Sequence, residues 1–257
     1  MKTWYRIAAA ADDPTVVDIH IIDFIGDWID DYWGFGVTAK AFVDQISKLA
    51  ETVRTIRVHI NSPGGDIFAA VNIANVLRDQ QVSKGRAVIT IVDGLAASSA
   101  SIVMMAGSPV RIADNAMVMV HNPWTIGIGN AAEMRKLADD LDQVRKTIVA
   151  TYKWQSKLSD DELIALMDAQ TWMDADEAIA NGFATEKIEG LKAAASLDPR
   201  AVAKLTIPDK YRARVTALLK PPPEPPTTAA AEDVLRLCRE GECLDLAEGL
   251  IAATATI

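Results

Sequence analysis

Cysteine is almost absent from this chain of 257 residues. Its two examples, Cys238 and Cys243, sit near the C-terminus, far from every other motif with chemistry in it. That excludes a disulfide framework and a four-ligand zinc site. Clustered Lys and Arg are lacking too: with 26 basic against 35 acidic residues and a net charge of −9, a phosphate-neutralising nucleic-acid surface is not expected. Long apolar runs are missing as well. The most apolar stretch, 87–107, is broken by Asp93, two glycines and three serines, which makes it a poor membrane span. The N-terminus, Met1-Lys2-Thr3-Trp4-Tyr5-Arg6, reaches acidic residues by Asp12 without a signal-peptide apolar region. These absences predict a cytoplasmic protein with neither a membrane nor a nucleic-acid partner. What is present, 50% hydrophobic and 24% charged residues, is the make-up of a soluble globular protein, long enough for one domain and an appendage.

Along the chain, 16–25 alternates as a strand that Gly26 ends. Thr38 reads as the N-cap of a helix with Phe42, Val43, Ile46, Leu49, Ala50 and Val53 on one face. A short strand, 56–60, leads into the turn Asn61-Ser62-Pro63-Gly64-Gly65 and a helix carrying Val71, Ala74 and Leu77. The run 87–92 predicts a strand buried on both faces, with a small-residue helix starting after Gly94. A strand pair is expected at 110–112 and 116–120, then a long helix over 131–152 with Met134, Leu137, Leu141, Val144 and Ile148 at helical spacing. Ser159-x-x-Glu162 and Asp174-x-x-Glu177 are capping boxes, and Gly182 stands where a helix C-cap belongs. Strand and helix in succession imply an α/β fold with βαβ crossovers and a largely parallel sheet. From about Ser196 the pattern decays, and Pro221-Pro222-Pro223-Glu224-Pro225-Pro226 is a stiff, extended linker. The expected division is therefore 1–195 for the main domain, 196–231 for a variable segment and linker, and 232–257 for a short helical tail.

Three segments carry chemistry. Gly94-Leu95-Ala96-Ala97-Ser98-Ser99-Ala100-Ser101 places a serine at a helix N-terminus, where backbone N–H groups and the dipole favour the negative charge of an acyl-transfer nucleophile. Taken alone, the segment reads equally as a helix cap in a small-residue seam, and it does not choose among Ser98, Ser99 and Ser101. Paired glycines at 64 and 65 can aim backbone N–H groups outward as oxyanion donors. An isolated Pro-Gly-Gly is also an ordinary turn. In Met117-Val118-Met119-Val120-His121-Asn122-Pro123 an apolar strand ends at a histidine, the position from which a general base could work. His20 and His59 alternate with apolar neighbours and read as outward-facing residues, and the methionines at 104, 105, 117 and 119 as core filler. Nothing here calls for a metal or a cofactor.

In this order and spacing, Asn61 to Gly65, Gly94 to Ser98 and Met119 to Pro123 resemble the proteolytic subunit of the Clp protease, a likeness that extends through Asp174-Ala175-Asp176-Glu177-Ala178 to Gly182-Phe183 and covers about 16–190. Trp4-Tyr5-Arg6-Ile7, the run Gly36 to Phe42, Asn122-Pro123-Trp124 and the Pro-rich tail look like the phage and prophage head-maturation branch of that family. The resemblance implies a ClpP/crotonase-like fold of repeated β-β-α units. It implies Ser98 as nucleophile, His121 as general base, and the N–H groups of Gly65 and Ser99 as the oxyanion hole. It further implies self-association into heptamers or double rings, with Gly127 to Gly129 binding substrate backbone and touching the opposing ring. An ATP-driven unfoldase as partner, and a scaffold or capsid precursor as substrate, follow from the same likeness. One departure matters: a gapless alignment from His121 to Trp172 puts Gln170 where the family has its catalytic aspartate, and Asp168 is the nearest carboxylate. Either Gln170 orients His121 through its carbonyl oxygen, or Asp168 does, or the site is weak.

Three rivals are distinguishable. A non-proteolytic crotonase-like enzyme shares the layered architecture but has no need of Ser98 and His121. An enzyme of the signal-peptide-peptidase type with a Ser-Lys dyad would normally be membrane-anchored. A degenerate protease serving as a structural capsid component is supported only by Gln170.

Overall fold

Alternating burial builds the sheet. In the computed structural model, which describes residues 4–10, 13–26, 38–189 and 206–218, the elements follow as β1 (Tyr5–Ala9), β2 (Val16–Ile22), α1 (Ala39–Ser47), β3 (Thr55–Ser62), α2 (Ile67–Val82), β4 (Ala87–Ala97), α3 (Ser99–Met104) and β5 (Val110–Ala113). Then come β6 (Met117–Met119), α4 (Ala131–Tyr152), α5 (Asp160–Asp168), β7 (Trp172–Met173), α6 (Ala175–Ala180), β8 (Glu186–Ile188) and α7 (Asp209–Leu218). The linker at 221–226, the tail at 232–257, both cysteines and Gly36–Val37 lie outside the described residues.

The sheet runs β1-β2-β3-β4-β5-β8. β1 is antiparallel to β2, and every other pair along that path is parallel, the largely parallel α/β arrangement that the strand-helix alternation implies. Ile19, Ile21, Ile56, Val58, Ile60, Val88 and Val92 are buried toward the helices with Phe42, Ile46, Ile73 and Leu77. That face is the core; the other face of the same strands carries Asp18, His20, Arg57, His59 and Asp93, all half-buried.

β4 differs from expectation. A helix was expected right after Gly94, but the strand continues to Ala97 and the helix starts at Ser99. The reason is pairing: Thr90, Ile91 and Val92 of β4 align with β5, while Leu95, Ala96 and Ala97 align with β6. β5 and β6 flank different halves of β4 and do not pair with each other. A backbone that finds a partner on both sides stays extended, whatever the helix propensity of Leu-Ala-Ala.

The helix boundaries are set locally. Thr38 accepts from Ala41 N–H to start α1, and α4 begins at a capping box of Asn130 and Glu133. The boxes at Ser159/Glu162 and Asp174/Glu177 are both fully formed. Gly182, at φ +72, ends α6 in a Schellman motif. Its N–H donates to Ile179 O, the N–H of Phe183 donates to Ala178 O, and the Phe183 ring is buried. α5 ends in the same motif: Gln170, at φ +49, is the left-handed residue, its N–H donating to Met167 O and that of Thr171 to Leu166 O.

α7 falls where the sequence pattern had decayed. Tyr211 and Val215 pack with Leu95, Ala97, Met117, Met119 and Trp172 in a second small core. Trp172 Nε1 donates to Thr206 O at 3.0 Å, and the Tyr211 hydroxyl donates to Glu177 at 2.6 Å. The signal was Ile207, Tyr211 and Val215 at four-residue spacing behind Pro208.

Candidate active site

Ser98 sits between β4 and α3 with φ +54 and ψ −127, a backbone region that a residue with a side chain occupies only under strain. Strain of this kind at a strand-to-helix turn lifts a side chain clear of its neighbours. The turn is held from three sides. The N–H of Ser98 donates to Met119 O at 2.8 Å, tying it to β6. Its carbonyl accepts from Ser101 Oγ, itself 2.7 Å from the hydroxyl of fully buried Tyr152. Because the Ser101 proton goes to Ser98 O, the Tyr152 hydroxyl donates to Ser101. On the third side, a Cβ added to Gly64 (φ +98) would lie 2.6 Å from Ala97 O and 2.7 Å from Ser98 Cβ. Only glycine lets that loop come so near.

Two residues beyond β6, His121 reaches the turn: its Nε2 lies 2.7 Å from Ser98 Oγ. The register of β4 on β6, with Ala97 opposite Met119, brings the two side chains to one strand end. Burial lowers the pKa of His121 below the usual imidazole range, which favours the neutral ring, and a neutral Nε2 can accept the Ser98 proton. The serines are thereby separated. Ser98 faces the imidazole, Ser101 braces the turn, and the buried Ser99 Oγ has no hydrogen-bond partner among the described residues.

Gly65 and Ser99 lie on either side of this turn. Ile25 holds the glycine loop, its N–H donating to Gly64 O at 2.8 Å and its carbonyl accepting from Asp66 N–H at 2.7 Å. Among the described residues neither the Gly65 N–H nor the Ser99 N–H finds an acceptor. Next to Gly65 opens a cleft walled by Phe24, Asp66 and the largely exposed Phe68.

The other two predicted site residues stand apart from the imidazole. Asp168, about half exposed, accepts from Asn122 Nδ2 at 2.6 Å and lies 3.6 Å from Arg145. Gln170 is exposed. Among the described residues neither side chain bonds to His121, and Nδ1 of that ring has no hydrogen-bond partner. Sequence reasoning had passed over Tyr152 and the Met119 carbonyl as supports of the turn. A backbone carbonyl leaves no mark in sequence, and Tyr152 reads as one more apolar residue of α4.

The chain matches known proteins over this same region. The Clp protease family profile matches residues 27–190. An ATP-dependent Clp protease proteolytic subunit from Bacteroides fragilis is 30% identical over 168 residues, 64% of this chain and 77% of that protein. Its counterpart from Porphyromonas gingivalis is 30% identical over 172 residues, 65% of this chain and 73% of that protein. The chloroplastic proteolytic subunit 4 of Arabidopsis thaliana is 27% identical over 198 residues, 76% and 62% of the two chains.

Proposed function

The chain belongs to the Clp protease family of peptide-bond hydrolases, and from that premise we propose that it is a serine endopeptidase with Ser98 as nucleophile and His121 as general base. One observation carries the reading: the 2.7 Å approach of Ser98 Oγ to His121 Nε2 at a strained strand-to-helix turn. His121 takes the Ser98 proton as Oγ attacks a peptide carbonyl. The oxyanion forms between the N–H groups of Gly65 and Ser99, His121 returns the proton to the leaving amine, and water then hydrolyses the acyl-enzyme. The step draws on no metal or cofactor.

The chain is proposed to work as a ring of copies. Supporting this are Trp124, Ile126 and Ile128, 66%, 84% and 99% exposed at alternate positions between His121 and α4, apolar side chains of the kind that a second copy covers. Its relatives are named as proteolytic subunits of an ATP-dependent protease, which supports an ATP-driven unfoldase as partner. The narrower role, cleavage of scaffold or capsid precursors during phage head maturation, is supported by the N-terminal Trp4 to Ile7, the Asn122-Pro123-Trp124 run and the Pro-rich tail. No helix among the described residues is long and apolar enough to cross a membrane.

A fluorophosphonate probe tests the chemistry: the wild-type protein labels at Ser98, and Ser98→Ala does not. A folded oligomer that fails to label would favour the alternative of a structural assembly component, for which the placement of Asp168 on Asn122 is the supporting observation. Mass spectrometry of capsid proteins co-expressed with wild type or Ser98→Ala tests the substrate, and identical fragments from both would exclude it.

A further inference from the structure

On the sheet face away from the core, two histidines and a carboxylate from three adjacent strands converge. β2 and β3 pair with His20 opposite His59, and β3 and β4 pair with His59 opposite Ile91, so Asp93 stands two residues farther on the same face. The imidazoles stack with centroids 4.8 Å apart and planes 18° from parallel. His59 Nδ1 lies 3.1 and 3.0 Å from the two Asp93 oxygens. One ligand-type atom from each of His20, His59 and Asp93 can be chosen so that all three lie within 4.8 Å of one another.

We propose that this is a binding site for a late first-row transition-metal dication, zinc foremost, held by His20, His59 and Asp93. Two imidazoles and a carboxylate are a donor set suited to such ions rather than to magnesium or calcium. Metal–ligand bonds of about 2.0 Å in a tetrahedron put neighbouring ligand atoms about 3.3 Å apart. The His59–Asp93 edge already has nearly that length, and a rotation of the His20 ring out of its stack on His59 would bring its nitrogen in. Hydrogen bonding accounts for the rest of the face but not for His20. Asp18 is engaged by Arg57 Nε and Nη2 at 2.6 and 2.8 Å, and His59 by Asp93, whereas His20 makes no hydrogen bond among the described residues. When Nδ1 of neutral His59 takes the metal, its ring proton moves through solvent to Nε2. That nitrogen lies 4.0 Å from Asp18 Oδ1, a carboxylate that a side-chain adjustment would bring within hydrogen-bond reach of the ring. With three protein ligands the fourth position is left to water. The ion would join β2, β3 and β4 across the sheet face, its Asp93 ligand on the strand that leads into Ser98.

The test uses the full-length chain with Cys238→Ser and Cys243→Ser, so that thiols do not compete, stripped with chelator and dialysed against zinc. Elemental analysis is expected to find one zinc ion per chain, retained in His121→Ala and lost in His20→Asn and in Asp93→Asn. The melting temperature should rise with zinc in the parent and stay unchanged in His20→Asn. Because His20 has no hydrogen bond to lose, His20→Asn keeps the fold, which circular dichroism checks. Zinc content unchanged in both site variants, zinc lost in His121→Ala alone, or no zinc in the parent would each overturn the proposal.

Discussion

The Asp168 carboxylate accepts a hydrogen bond from Asn122 Nδ2 at 2.6 Å, so the acidic group beside the site grips the residue after His121 rather than the imidazole. Removing the carboxylate of a serine-protease triad costs on the order of 10⁴ in kcat. Asp168→Asn should cost less than about tenfold in kcat/KM, measured on a fluorogenic peptide. A loss near the triad value would mean that Asp168 swings to His121 when substrate binds.

Gln170 acts through its backbone, as the left-handed residue that closes α5. Gln170→Gly should therefore raise stability, by up to about 1 kcal/mol, and leave kcat/KM within about twofold. Denaturant unfolding and the same peptide assay check both halves. A collapse of activity would show instead that its side-chain amide orients the imidazole.

In the proposed mechanism the half-buried His121 ring sets the acid limb of activity. As a general base it works neutral, and burial lowers its pKa below the ordinary value of about 6.5. Activity should thus persist as pH falls through 6.5 and drop only below it. Stability follows the same sign: the unfolded chain takes up the proton first, so stability held above about pH 6.5 is lost as pH falls toward the folded pKa. A pH profile of kcat/KM, and the His121 ring titration by NMR in Ser98→Ala, check this; a midpoint above 7 contradicts it.

Ser101 and Tyr152 should behave as a coupled pair. Ser101→Ala leaves a fully buried phenol without its partner, at a cost of about 1–3 kcal/mol. Tyr152→Phe in the same chain should recover part of it, giving a coupling of about 1 kcal/mol in a double-mutant cycle. Fluorophosphonate labelling should slow in Ser101→Ala, which also releases the Ser98 carbonyl.

Strain at Ser98 predicts an order of stability among its variants. Glycine takes φ +54, ψ −127 without the strain that alanine shares with serine, so Ser98→Gly should be about 1 kcal/mol more stable than Ser98→Ala. Equal midpoints would mean that the turn relaxes once the hydroxyl is gone.

Local chemistry was the legible part. Capping boxes at Ser159 and Asp174, the N-cap at Thr38, the left-handed Gly182 and the span of α4 all follow from residues within a turn of one another. Pairing decided the rest. Leu95-Ala96-Ala97 has no local reason to be a strand; it is one because β6 lies beside it. His20 and His59 alternate as surface residues should, yet register places their rings together and half-buries them. In the candidate site, Ser98 and His121 came from motif resemblance and Gly64 from its turn. The reach of Asp168 toward Asn122 depends on how α5 docks, which no short motif encodes.

The packing of α7 sets where this protein can be cut. Its residues Tyr211 and Val215 cover Leu95, Met117, Met119 and Trp172, the first three on the strands that lead to Ser98 and His121. An expression boundary drawn at the fading of the sequence pattern, near residue 195, would leave that apolar patch bare, an aggregation surface beside the strands of the candidate site. A boundary after Leu218 keeps it covered. For crystallography, binder selection or fusion partners, the shortest useful piece of this chain thus extends a full helix beyond the last strand of its sheet.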